Sequence, residues 1–231
     1  MSHAIIVGAG PGLSASLTRQ LSARGLSVTL AARTPDKLAT LCAETGATAV
    51  QLDGSNPAAM AQLFDETPGR IDVAIYNPSA RVPGPIAEID PEAVRKAVEV
   101  TAFGAFLLGQ QAAKRMLAQD PVDGRRGTIL MTGASAGDKG FPRSAAFAMG
   151  KFAQRGLAQS MARELHPDGI HVAWINIDGG ISNPDRPERT DDGSDRMLNP
   201  DAIAQAYLSV MDQHRSAWSH ELALRPWVER F

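Results

Sequence analysis

The sequence predicts an α/β fold, a doubly wound parallel sheet formed by a single domain of 231 residues. Three observations predict it. Short apolar runs alternate with longer helix-like segments from end to end, the pattern of repeated β–α units. Several of those runs are apolar throughout rather than alternating, as expected of strands covered by helices on both faces. One α/β domain can reach about 250 residues, and 44% of this chain is hydrophobic, enough to fill one core.

The elements follow in order. Ala4–Val7 is the first strand, and glycines lead into a helix from about Leu13 to Arg24. Gly25 closes that helix, because glycine accepts the left-handed conformation at a helix end. Ser27–Ala31 is the second strand. Thr34-Pro35 opens the next helix, with Thr34 as N-cap and Pro35 at the first helical position. Ala47–Leu52 is the third strand, and Asn56-Pro57 starts a helix by the same device. Ile71–Tyr76 is the fourth strand. Asp90-Pro91 begins one long helix reaching about Gln119. Thr128–Thr132, the helix Ala145–His166, Gly169–Ile177, the helix Pro200–Gln213 and a last strand near Glu221–Leu224 complete the series. Segment 181–199 is too polar for the core and follows the sixth strand. It therefore lies at the carboxyl edge of the sheet, where ligands bind in such folds, and is expected to be a lid.

The first strand–turn–helix junction carries Gly8-Ala9-Gly10-Pro11-Gly12. Glycines there let backbone approach a pyrophosphate, and the helix N-terminus offers free N–H groups and a positive dipole end. This predicts a Rossmann-type dinucleotide site. Position 13 is Leu13, so the spacing is G-x3-G-x-G with Ser14 in the last place. The second strand ends Ala31-Ala32-Arg33-Thr34, with no carboxylate until Asp36. A carboxylate there would accept from the ribose 2′-hydroxyl of NAD. Arg33 instead suits a 2′-phosphate, so NADP(H) is expected and NAD(H) is the alternative.

At this point the chain resembles the short-chain dehydrogenase/reductase family, from about residue 4 to at least 180. The glycine turn is one match. Asp53 resembles the family's adenine-contacting aspartate. Asp72–Ser79 resembles a segment normally ending Asn-Asn-Ala-Gly, with Asn77 retained. Phe147-Ala148-Met149-Gly150-Lys151 stands where the family has Tyr-x-x-x-Lys, and Ile177–Gly180 where a Pro-Gly turn covers the nicotinamide. The resemblance implies coenzyme contacts from Gly8, Gly10, Pro11, Gly12, Leu13, Arg33, Asp53, Asn77, Lys151, Gly179 and Ile181. It also implies a degenerate Asn-Ser-Tyr-Lys tetrad. Lys151 alone is kept. Phe147 holds the tyrosine position, Ala134 the serine position with Ser135 one residue out of register, and Thr101 the asparagine position. An oxidoreductase of this kind needs another proton donor. Ser135, Thr101, Ser144, a lid aspartate or a water are the candidates. The rival is an inactive NADP(H)-binding sensor or scaffold.

Other classes are less well served. Gly133-Ala134-Ser135-Ala136-Gly137 is a literal G-x-S-x-G, but a loop follows where a serine hydrolase needs a helix at once. A hydrolase using Ser135, with Asp178 and His214 or His220, is the remote alternative. The formal net charge of −2 offers no basic field for nucleic acid. No apolar run approaches the ~20 residues that span a bilayer, and no signal peptide is expected. One cysteine, Cys42, excludes a disulfide framework, and histidine spacing suggests no metal site. A cytoplasmic protein acting on a small molecule is expected. Phe103, Phe141 and Phe147 suggest an apolar pocket. The resemblance implies a homodimer or homotetramer through the helices at 91–119 and 145–166. An apolar tail, Ser216–Phe231 with Trp218 and Trp227, packs on its own domain or on a neighbour.

Overall fold

The computed structural model describes residues 2–229; Phe231 of the apolar tail lies outside them. The strands, in chain order, are β1 (Ser2–Val7), β2 (Ser27–Ala32), β3 (Thr48–Gln51), β4 (Arg70–Tyr76), β5 (Gly127–Thr132), β6 (Ile170–Ile177), β7 (Gly180–Ile181), β8 (Met197–Leu198) and β9 (Glu221–Leu224). Seven of them form one parallel sheet in the order β3-β2-β1-β4-β5-β6-β9. The chain runs outward from β1 to β3, then returns to place β4 beside β1 on the other side. Strand order reverses there, and the crevice beyond those two strand ends is where ligands bind in open α/β sheets.

Helices cover both faces, which is why β5 and β6 are buried along their whole length. The helices are α1 (Leu13–Ala23), α2 (Ala39–Thr45), α3 (Pro57–Glu66), α4 (Pro91–Val98), α5 (Gly104–Leu117), α6 (Ala145–Leu165) and α7 (Pro200–Met211). Leu17 and Leu21 of α1, Leu41 of α2 and Tyr207 of α7 pack on one face of the sheet, with Ile6 and Leu30. Phe64 of α3, Leu108 of α5 and Met161 of α6 pack on the other, with Ile5, Ile129 and Trp174.

Local chemistry explains the helix starts. Asn56 accepts from the Ala59 amide, Asp90 from Glu92 and Ala93, and Asn199 from Asp201 and Ala202, each before a proline at the first helical position. Such caps contribute about 1 kcal/mol apiece. Gly25 takes φ +83° after α1. Two expectations are corrected. Thr34 makes no side-chain cap, because Pro35–Leu38 first winds as a 3₁₀ turn and α2 begins only at Ala39. The long helix expected from Pro91 is three pieces, since Glu99–Phe103 between α4 and α5 is a wider π turn. Its carbonyls are claimed from outside: the Tyr76 hydroxyl donates to Val100 and Gln154 Nε2 to Thr101. Gly104 follows because a Cβ there would lie 2.0 Å from Tyr76 Oη and 2.7 Å from the Gly54 carbonyl oxygen.

Candidate active site

The glycine turn leaves β1 at Gly8, whose φ is +83° and whose Cβ, were there one, would lie 2.6 Å from Pro78. Only glycine fits both constraints. The Gly8 and Ala9 amides donate to the Ala31 carbonyl at 2.9 and 3.1 Å, tying the turn to β2. Gly12 caps α1 without a side chain, so the first amides of that helix keep no partner from a cap. Ser14 is buried, and its hydroxyl is engaged within the protein. Its hydroxyl donates to the Gly8 carbonyl and accepts from Asn77 Nδ2 at 2.8 Å. Asn77, after β4, therefore braces the turn from beneath, and its amide donates to the Val7 carbonyl. Gly8, Gly10, Pro11, Gly12, Leu13 and Asn77 line one cleft of about 510 Å³.

Arg33 is exposed at the end of β2. Asp53 follows β3 close enough that the guanidinium helps hold its carboxyl below the usual range. The larger causes are hydrogen bonds from the Ser55 hydroxyl and amide. An exposed cation thus stands near an ionised carboxylate, at the ends of β2 and β3.

The residues expected at the tetrad positions meet around the start of α6. Phe147 is buried, with Ala134 and Ala136 against it. Lys151 is 2% exposed. Its ammonium donates to the Thr132 carbonyl at 2.5 Å and to Gln154 Oε1 at 3.2 Å. Burial, and secondarily the nearby Arg81 charge, lower its pKa to about 7. Gln154 Nε2 in turn donates to the Thr101 carbonyl at 3.3 Å. Thr101 is fully buried in the π turn, and its hydroxyl oxygen accepts from the Ala80 amide at 3.0 Å. Ser135 is partly buried and opens a short 3₁₀ turn, Ser135–Gly137, rather than an α-helix. Ser144 stands before α6 and makes no side-chain cap.

Arg155, one turn beyond Lys151 on α6, binds three segments together. Its guanidinium pairs with Glu221 of β9 through two nitrogens at 2.9 and 2.7 Å, and with Asp138 after the Ser135 turn at 2.8 Å.

Segment 181–199 is held at both ends by the parallel pair of β7 and β8. Ile181 lines the cleft, together with Asn183, Arg186 and Arg189. A Cβ on Gly12 would stand 3.6 Å from Asn183 Nδ2, so the segment closes over the glycine turn. Gly179 lies against Pro226 and Leu198 instead, away from that cleft lining. Phe103 does not line it either; its ring stacks on Phe106 and is 42% exposed on the helix surface. Phe141 is exposed too, with Lys139 above its ring.

Sequence reasoning missed Arg81, which lines the same cleft and places its guanidinium 4.1 Å from the centre of the Phe147 ring. It also missed Gln154, although that residue follows Lys151 at the i, i+3 spacing that shares a helix face. Two expected pairings are not formed. Asp178 pairs with Arg225, and His214 with Ser216, so neither serves Ser135 as a hydrolase would require.

The short chain dehydrogenase profile matches residues 2–189. A short-chain dehydrogenase/reductase of Hericium erinaceus, eriH, is 33% identical over 179 residues, which are 72% of this chain and 69% of the fungal protein. A crystal structure of a short-chain dehydrogenase from Rhodopseudomonas palustris is 34% identical, with a TM-score of 0.82 over 98% of this chain and 99% of that one. A metagenomic short-chain oxidoreductase solved with NADP is 26% identical, with a TM-score of 0.81 over 98% of each chain. The match spans the glycine turn, the crevice at the strand reversal and the helix bearing Lys151, and the chain belongs to the short-chain dehydrogenase/reductase family.

Proposed function

We propose that this chain is an NAD(P)(H)-dependent oxidoreductase that prefers NADP(H) and uses a proton donor other than the family tyrosine. The observation that carries the reading is the cleft between the glycine turn and segment 181–199, with exposed Arg33 beyond it. The residues fit a dinucleotide. Gly10 and Gly12 line the cleft without side chains, the first amides of α1 would face the phosphates, and the helix dipole favours their charge. Arg33 would pair with a 2′-phosphate, and Asp53, held ionised, would contact the adenine. Residues 181–199 would cover the coenzyme as a lid. A nicotinamide bound there supplies or accepts a hydride.

The proton is the harder part. Phe147 and Ala134 carry none. Lys151 holds one at Nζ and releases it near neutral pH, since burial makes its ammonium costly. The bonds through Gln154 to the Thr101 carbonyl fix where that proton sits. Ser135 stands one residue from the lost serine as a second hydroxyl candidate. A sensor or scaffold that binds NADP(H) without turnover is the rival reading. The internal bonds of Lys151 favour it, because they point that donor at protein rather than at a substrate.

The test is fluorescence titration of wild type and Arg33→Ala with NADPH and NADH. Charge-assisted bonds contribute ~1.5–3 kcal/mol, so Arg33→Ala should weaken NADPH binding about tenfold or more and leave NADH nearly unchanged. Equal affinity of the wild type for both coenzymes would remove the preference. A panel of aldehydes, ketones, enones and imines with NADPH separates the two readings: tight binding without oxidation of NADPH selects the sensor.

A further inference from the structure

Three arginines line one cleft from two segments, Arg81 from the loop after β4 and Arg186 and Arg189 from segment 181–199. Among the described residues none of the three has a carboxylate partner; the ion pairs of that region belong to Arg196 with Asp192 and Arg225 with Asp178. Like charges gathered without a counter-ion repel. Partial burial, together with the charges of Arg189 and Arg186, weakens the hold of Arg81 on its proton. An anion of matching geometry would relieve that repulsion, and a guanidinium fork suits carboxylate or phosphate oxygens.

We propose that Arg81, supported by Arg186 and Arg189, forms an anion subsite that receives a carboxylate or phosphate group of the substrate. This rests on the oxidoreductase reading, in which the glycine turn already supplies amides and a helix dipole for the coenzyme pyrophosphate. Arg81 lines the same cleft from above Phe147 of α6. The ring face attracts the cation and holds it beside the cleft. Phenylalanine at the tyrosine position is thereby a platform for Arg81 rather than a vacant acid. The substrate class is a carbonyl compound that bears an acidic group near the reacting carbon.

The experiment is calorimetric titration of inorganic phosphate into the NADPH-saturated protein, with NADPH affinity measured alongside. Phosphate should bind the saturated wild type. Arg81→Ala should weaken it about tenfold or more while changing NADPH affinity less than about threefold, and Phe147→Tyr, which keeps the platform, should retain it. Arg186→Ala with Arg189→Ala, at positions outside the core, should weaken phosphate as well. Competition between phosphate and NADPH, or a large loss of NADPH affinity in Arg81→Ala, would assign the arginines to the coenzyme and overturn the proposal. Phosphate binding unaffected by Arg81→Ala would also overturn it. If wild type binds phosphate through Arg81 but binds no NADPH, the subsite stands and the oxidoreductase reading falls.

Discussion

Phe147 and Lys151 lie one helical turn apart on α6, yet their chemistry differs sharply. Phe147→Tyr should restore little carbonyl reduction, because Ala134 still offers no hydroxyl to the substrate oxygen and one general acid contributes ~10²–10⁴-fold only when the geometry is complete. NADPH oxidation with a carbonyl panel checks this; a rise of about a hundredfold or more would show that Phe147 was the only missing part. Lys151 has a thermodynamic signature as well. Its pKa falls to about 7 in the folded chain, whereas the unfolded side chain titrates near ~10.4. Between those values the unfolded state binds more protons, so this residue makes stability rise with pH. Below about pH 7 the full cost of the buried ammonium is present. Wild type should therefore gain stability relative to Lys151→Met from about pH 7 to pH 10, read from urea midpoints. A constant gap would contradict the burial of a titrating amine. The places of the glycine turn, Arg33, Asp53 and Asn77 at strand ends were legible because each follows a strand at a fixed offset. The Arg81–Phe147 contact was not, because it joins residues far apart in sequence through tertiary packing.

At the scale of elements, the π turn at Glu99–Phe103 depends on a close approach. Gly104→Ala would drive a methyl group into Tyr76 Oη, 2.0 Å away, and the Gly54 carbonyl oxygen, 2.7 Å away. Overpacking of this kind costs ~1–3 kcal/mol. Thermal unfolding should show that loss, with Tyr76→Phe in the same chain recovering only part of it, since the carbonyl contact stays. Full recovery, or no loss, would mean the turn is not pinned there. Helix starts were readable from Asn56 and Asp90 because a cap and a following proline act within one turn of chain. The π turn was hidden because the groups that claim its carbonyls come from β4 and α6. Thr34 misled for a related reason: a residue suited to capping does not cap when the next turn winds more tightly.

The molecule as a whole leaves apolar side chains outside. Phe106 of α5 and Met149 and Phe152 of α6 are 40%, 55% and 46% exposed. Water contact with such groups is unfavourable by about 25 cal/mol per Å², and a second copy would remove it. A homodimer or homotetramer is expected in sedimentation equilibrium, and Phe152→Glu should shift it toward the monomer. A monomeric wild type at micromolar concentration would refute that assembly. No helix among the described residues is long and apolar enough to cross a membrane. The parallel sheet and its two helical layers were legible from alternation and from apolar strands, whereas the strand order was not, and β7 and β8, two residues each, lie below any periodicity. The grip of Arg155 on Glu221 and Asp138 has one more consequence. The final strand is a tether for the helix that bears Phe147 and Lys151. A chain trimmed ahead of Glu221 would strip Arg155 of its carboxylate on β9, so damage near the far terminus would reach that helix.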